Sequence, residues 1–386
     1  MHTNSRRGAL CLMLGIFGVF GTACAEDAPL AEPYDWALPD GIPEPKLPQE
    51  NPMTPEKVEL GRWLFYDVRM SANQTQSCAS CHIQALAFTD GRAQAVGSTG
   101  EVHPRGSMSL VNVVYASTFN WANPLVPSLE QQALGPLFAT DPVELGMADR
   151  EDELLARLSA DADMARRFER AFPDVQASQR ISVDTITKAL AAFQRSLISV
   201  RSPYDRYIAG EREALSASAK RGLELFFGER AECFHCHGGF NFADAVQTTH
   251  STFTEKPFHN NGLYALDESG RYPERNTGVH AVTGRPEDMG RFKAPTLRNI
   301  AVTGPYMHDG SIATLEAVVA HYERGGTRTE SGPLQGDGRA NPNRSEFVRG
   351  FVFTEQERAD LIAFLESLTD EAFLRDPRHS DPFEAE

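Results

Sequence analysis

Apolar positions along this chain recur mainly at helical spacing. Thr54-Pro55 offers an N-cap followed by proline at the first helical position, and the helix it predicts carries Val58, Leu60, Leu64 and Phe65. Ile186, Leu190, Phe193 and Leu197 lie at i, i+4, i+7 and i+11, the stripe of a helix that buries one face. Leu361, Phe364, Leu365 and Leu368 repeat that stripe after a capping-box start, Thr354 with Glu357. Runs that alternate with period two are few and short. The expected class is therefore mainly α, with long loops.

The helical pattern also repeats itself. The segment Leu60-Gly61-Arg62-Trp63-Leu64-Phe65-Tyr66 leads into Cys78-Ala79-Ser80-Cys81-His82, and Arg221-Gly222-Leu223-Glu224-Leu225-Phe226-Phe227 leads into Cys233-Phe234-His235-Cys236-His237. Each half closes on one of the two apolar stripes. Two units are expected, 54–205 and 206–386, with the boundary between Arg201 and about Ala214. Ahead of them, 26–53 is rich in proline and acidic residues and reads as an extended arm over the surface.

Residues 1–25 read as a signal peptide. Arg6 and Arg7 precede an apolar run from Gly8 to Phe20, too short to span a bilayer, and Ala23-Cys24-Ala25 supplies small residues for cleavage. Cys24 is also a candidate for lipidation, although Gly21 stands where a larger aliphatic residue is expected. Export to the periplasm follows, and no later stretch is apolar enough to span a membrane. At 386 residues the chain can form two ordinary domains. Its net charge of −16, without a basic cluster, argues against a nucleic-acid partner.

Cysteine usage changes the picture most. Of six cysteines, Cys11 and Cys24 fall in the leader; the rest form the pairs Cys78/Cys81 and Cys233/Cys236. Each pair is followed at once by histidine. In CxxCH two thiols add across the vinyl groups of a haem, and the adjacent imidazole reaches the iron. The rival is zinc, but a structural zinc site gathers its ligands within a few dozen residues, and these pairs lie more than a hundred apart. Two c-type haems are expected, with His82 and His237 as proximal ligands.

The surroundings of these motifs resemble a known family, the bacterial di-haem cytochrome c peroxidases and MauG. The resemblance lies in Leu60-Gly61-Arg62 with Leu64-Phe65-Tyr66-Asp67, in Ala87-Phe88-Thr89-Asp90-Gly91 after His82, and in Pro295-Thr296-Leu297-Arg298-Asn299 with Pro305-Tyr306-Met307-His308-Asp309-Gly310. It covers roughly 45–370. Gly97-Ser98-Thr99-Gly100-Glu101-Val102-His103-Pro104-Arg105-Gly106-Ser107-Met108 and Cys236-His237-Gly238-Gly239-Phe240-Asn241-Phe242 resemble its MbnH branch, which is encoded with methanobactin-type copper systems. The resemblance implies two cytochrome c-like haem domains, the first peroxidatic and the second electron-transferring.

It also implies site residues. Gln132 matches the distal glutamine, with Gln131 as the alternative if the register slips by one. Pro136 matches the residue packed over the first iron, Glu144 the catalytic glutamate that moves a proton between the oxygens of H2O2, and Trp121 the tryptophan between the haems. A solvated carboxylate and a core indole are the plain alternatives for Glu144 and Trp121. His103 does not share the surroundings of the histidine that blocks the first haem in some relatives. It reads as a loop residue that leaves that iron open.

At the second haem the ligand position falls on Tyr322, with Met307 nearby as rival and His321 as a neighbour. A methionine thioether favours Fe(II), as suits a respiratory peroxidase fed by a small cytochrome or cupredoxin; an anionic tyrosine oxygen favours ferric and higher states. Arg298 and His308 are candidates for haem propionate anchors or structural loop residues. A calcium site of this family uses carbonyls matching Thr303 and Pro305 and an asparagine, but Gly106 stands in the asparagine's place, which leaves Ca2+ open. The resemblance implies a H2O2-dependent oxidoreductase. Working through a bis-Fe(IV) haem pair, it would oxidise a tryptophan towards kynurenine on a periplasmic, copper-associated MbnP-type partner. The alternative is the respiratory peroxidase; a plain electron carrier would leave Gln132 and Glu144 without a task. MauG's surface tryptophan two residues before the second CxxCH is replaced by Ala231.

Overall fold

The computed structural model describes residues 34–384; the expected signal peptide, Cys24 and the start of the arm lie outside the described residues. The helices are α1 (Pro55–Tyr66), α2 (Leu129–Phe138), α3 (Glu151–Ser159), α4 (Ala162–Ala171), α5 (Val183–Ser196), α6 (Pro203–Ile208), α7 (Ala217–Phe226), α8 (Phe234–His237), α9 (His280–Thr283), α10 (Leu315–Glu323) and α11 (Glu355–Glu366). Among the described residues the only strands are β1 (Arg328–Thr329) and β2 (Gly336–Asp337), paired antiparallel with Arg328 opposite Asp337. Long loops join these elements, and the class is mainly α as expected.

Two helix pairs carry the cores. Thr54 caps α1 by accepting from Lys57 N, with Pro55 at the first turn. Leu60, Leu64 and Phe65 then face Ile186, Leu190 and Phe193 of α5, all buried. The second pair is α7 on α11, where Phe226 meets Leu361, Phe364 and Leu365. A glycine decides how closely each pair crosses. A Cβ on Gly61 would lie 2.0 Å from the Ala189 carbonyl oxygen, and one on Gly222 would lie 1.9 Å from that of Asp360. The Leu-Gly-Arg and Arg-Gly-Leu segments of the repeat are therefore contact points where two backbones touch.

The repeat runs further than the sequence revealed. Asn112 and Asn299 both adopt left-handed backbone (φ 54° and 60°), a conformation asparagine tolerates better than most residues. Each docks on the end of a closing helix: Asn112 N donates to Leu197 O at 2.8 Å, and Asn299 N donates to Leu368 O at 3.0 Å. Between them Ser199 is shared, its N donating to Asn112 Oδ1 and its Oγ accepting from Asn299 Nδ2.

Two features differ from the expected division. The 205/206 boundary falls inside α6, a capped helix whose Asp205 both accepts from Ser202 and pairs with Arg298. The C-terminal segment returns to the first half, where Phe373 and Leu374 enter the α1/α5 core and His379 O accepts from Tyr66. The arm also touches both halves. Asn51 donates to Glu130, while Glu44 O accepts from Thr249 N at 3.3 Å.

Candidate active site

Each CxxCH segment is shaped by the same device. His82 Nδ1 donates to Phe88 O at 2.7 Å, and His237 Nδ1 donates to Phe242 O at 3.1 Å. Phe88 and Phe242 both hold positive φ (60° and 48°), rare for a bulky residue, and so turn their carbonyls towards the ring. With Nδ1 committed, Nε2 is the nitrogen left for a metal, as in oriented ligand histidines generally. Burial holds both imidazoles below the usual range and keeps them neutral. The four cysteines form no disulfide. Among the described residues, one group of His, Cys, Asp and Glu has ligand atoms close enough to share an ion: Cys236, Asp244 and His259. A Cys/His zinc site that unites the two pairs is not assembled. The residues fit covalently attached haem.

Cys78, Cys81 and His82 open onto a cavity whose far wall is α2. Leu129, Gln132, Ala133, Pro136 and Leu137 line it, the i, i+3, i+4, i+7, i+8 face of one helix, while Gln131 points to solvent. Of the two glutamines, Gln132 is the one that lines the cavity. Glu144 joins the same cavity from the loop after α2, anchored where Leu145 N donates to Pro136 O at 2.9 Å. Burial raises the Glu144 carboxyl to about 7.

Trp121 lines the cavity where it meets Lys293, Pro295 and Thr296 of the second half, and its Nε1 donates to Gly106 O at 2.9 Å. His103 also lies in this cavity, its Nε2 3.8 Å from Glu144 Oε1. His103 lies in an irregular loop, as expected, but that loop folds inward, which its local sequence did not reveal.

Around the second motif, α10 starts at the Thr314 cap and carries Tyr322 close to Cys233 and Cys236. Burial, with those thiols, raises its phenol to about 12, against a hydrogen bond with the Asn261 side chain. Asn261 Nδ2 also donates to Met307 Sδ at 3.2 Å. The tyrosine and its rival thus sit on one amide. His321 is fully engaged, with Nδ1 on Thr327 Oγ1 at 2.8 Å and Nε2 on Asn261 O at 3.0 Å. It has no nitrogen left for a metal.

Other expectations change. Arg298 spends its guanidinium on Asp205 and on Phe240 O, so it serves as a buried tie rather than a propionate anchor. His308 stacks on Phe292 at 3.7 Å, and its buried Nε2, 3.9 Å from Asp309 Oδ2, has no hydrogen-bond partner among the described residues, which leaves it for a bound group. Sequence reasoning missed Asn261, the His259–Asp244 pair at 2.5 Å and Lys293, whose Nζ donates to Thr118 O. All are brought in by loops, and nothing in their spacing marks them.

The comparisons with known proteins point to one family. A family profile for di-haem cytochrome c peroxidase matches residues 55–213. The methylamine utilization protein MauG of Methylorubrum extorquens is 37% identical over 330 residues, 86% of this chain and 82% of that protein. The cytochrome-c peroxidase IdrP1 of Denitromonas iodatirespirans is 35% identical over 88% of each chain. A crystal structure described as a MauG-like protein associated with microbial copper homeostasis superposes with a TM-score of 0.88 at 50% identity, covering 91% of this chain and 99% of the other. The chain belongs to the di-haem cytochrome c peroxidase and MauG family of haem-dependent oxidoreductases.

Proposed function

We propose that this protein uses H2O2 to oxidise a tryptophan of a partner protein towards kynurenine, the partner being a periplasmic, copper-associated protein of the MbnP type. The observation that carries the reading is Tyr322, held beside Cys233 and Cys236 with its phenol in contact with Asn261. The copper association in the description of the 50%-identical structure supports the choice of partner.

Haems bound at the two CxxCH motifs, through Cys78, Cys81 and His82 and through Cys233, Cys236 and His237, would supply redox centres able to accept and store oxidising equivalents from peroxide. The chain's own residues do the rest. Glu144, as carboxylate, takes the proton of the near peroxide oxygen and returns it to the far one, so that water leaves. Gln132 projects from α2 into the same space as a hydrogen-bonding wall, and Pro136 packs one turn further along that face. Trp121 offers an indole through which an electron crosses between the two halves. Tyr322 supplies a hard oxygen at the second centre. The partner then gives up electrons at the surface, without entering the cavity.

Met307 favours a second reading, a respiratory peroxidase supplied by a small cytochrome or cupredoxin, because its thioether shares Asn261 with Tyr322. The test is to incubate the haem-loaded protein with H2O2 and an MbnP-type partner and to follow the partner's tryptophans by mass spectrometry. Kynurenine formed only when both peroxide and this protein are present supports the first reading. Peroxide consumption that requires a reduced carrier and leaves every tryptophan intact supports the second.

A further inference from the structure

Apart from Gly106, whose carbonyl holds Trp121, the stretch from Gly97 to Met108 has no task in the chemistry above, yet it is fastened to the loop that carries Glu144. A Cβ on Gly97 would lie 1.9 Å from the Val143 carbonyl oxygen. Ser98 N donates to Glu144 O at 2.7 Å, and Val143 N donates to the Glu101 carboxylate at 3.1 Å. The stretch closes on itself where His103 N donates to Ala95 O at 2.8 Å and Ala95 N donates to Arg105 O at 3.1 Å. Two loops distant in sequence thus form one clamp, which sets His103 Nε2 3.8 Å from Glu144 Oε1.

The tautomer of His103 is fixed as well. Its Nδ1 accepts from Arg105 N at 3.2 Å, so the proton of the neutral ring sits on Nε2, the nitrogen nearer Glu144. We infer that His103 is a positioning residue for Glu144, whose Nε2–H steadies the Glu144 carboxylate directly after a small shift or through one water. This rests on the reading of Glu144 as the group that moves the peroxide proton.

The charged surroundings agree with a donor that stays neutral. Burial, with Arg105 and Arg275, holds His103 down to about 4 against the opposing pull of Glu101. Glu144 faces no cation close enough to lower it, and the Cys78 and Cys81 sulfurs within its field carry no titratable proton once joined to haem. A neutral donor to a carboxylate favours the ionised form. Removing it should raise the Glu144 midpoint by about one pH unit. The carboxylate fraction near neutrality would then fall, and the peroxide reaction would slow by about fivefold.

The experiment titrates Glu144 in the haem-loaded protein by infrared difference spectroscopy of its protonated carboxyl, assigned with Glu144→Gln, and follows the pH profile of the peroxide reaction in parallel. His103→Leu should raise both midpoints together, and His103→Gln, which keeps a donor, should bring them back. If His103→Leu yields no haem-loaded protein, His103→Asn against His103→Gln makes the same comparison, because the shorter amide withdraws the donor. Equal loss of rate in all variants with unmoved midpoints would overturn the inference and leave His103 a packing residue. If Glu144→Gln itself leaves the peroxide rate unchanged, the underlying site reading fails instead.

Discussion

At the scale of single residues the site is a matter of which polar atoms are committed and which are left over. His82 and His237 each give Nδ1 to a phenylalanine carbonyl, and His321 gives away both nitrogens. The three histidines thereby sort into two ligand candidates and one structural residue. Glu144, raised to about 7 by burial, is half ionised near neutrality, the balance a group needs in order to take a proton and then return it. The proton-accepting form is the carboxylate, so the peroxide reaction should accelerate as pH rises through about 7 and level off above. Stopped-flow rates across that range check the sign. Glu144→Gln should cost about 10²–10⁴-fold in the same assay. The cysteines, histidines, Glu144, Gln132, Pro136, Trp121 and Tyr322 were all nameable from motif and resemblance. Asn261 and the inward turn of His103 were not, because their neighbours come from segments far away in sequence.

At the scale of elements, the internal repeat explains most of the architecture. Both helix pairs cross at a glycine, and both closing helices end against an asparagine in left-handed backbone. Gly61→Ala and Gly222→Ala should each destabilise the haem-loaded protein by roughly 1–3 kcal/mol, because the new methyl meets a backbone carbonyl that cannot rotate away. Denaturant unfolding followed by far-UV circular dichroism would measure this, and little change in either variant would mean that the helices can part without cost. The helices themselves were legible, since Thr54-Pro55 and the Thr354/Glu357 capping box mark starts that the structure keeps. The Asn112/Asn299 correspondence was harder to see. It sits in loops, where only the short pattern Ser109-Leu110-Val111-Asn112 against Thr296-Leu297-Arg298-Asn299 betrays it.

At the scale of the whole molecule, the halves are tied by buried polar links that hydrophobic patterning does not display. Arg298 and Asp205 are 1% and 12% exposed and share two hydrogen bonds of 2.9 Å, joining α6 to the loop before α10. Removing one partner should cost about 3–5 kcal/mol, because the other charge would remain buried and unpaired. Arg298→Ala is therefore expected to lower the thermal midpoint sharply. A variant that replaces both residues with apolar ones should recover part of the loss.

On the proposed mechanism peroxide alone drives the chemistry, and Tyr322 keeps the second haem suited to oxidised rather than reduced states. The most direct measurement adds one equivalent of H2O2 to the fully oxidised, haem-loaded protein without reductant and follows its absorption spectrum. Both haem signatures should change at once and stay changed, and the change should be shorter-lived in Tyr322→Met. A spectrum that stays unchanged until the second haem has been reduced would contradict this mechanism and give the protein the respiratory role instead.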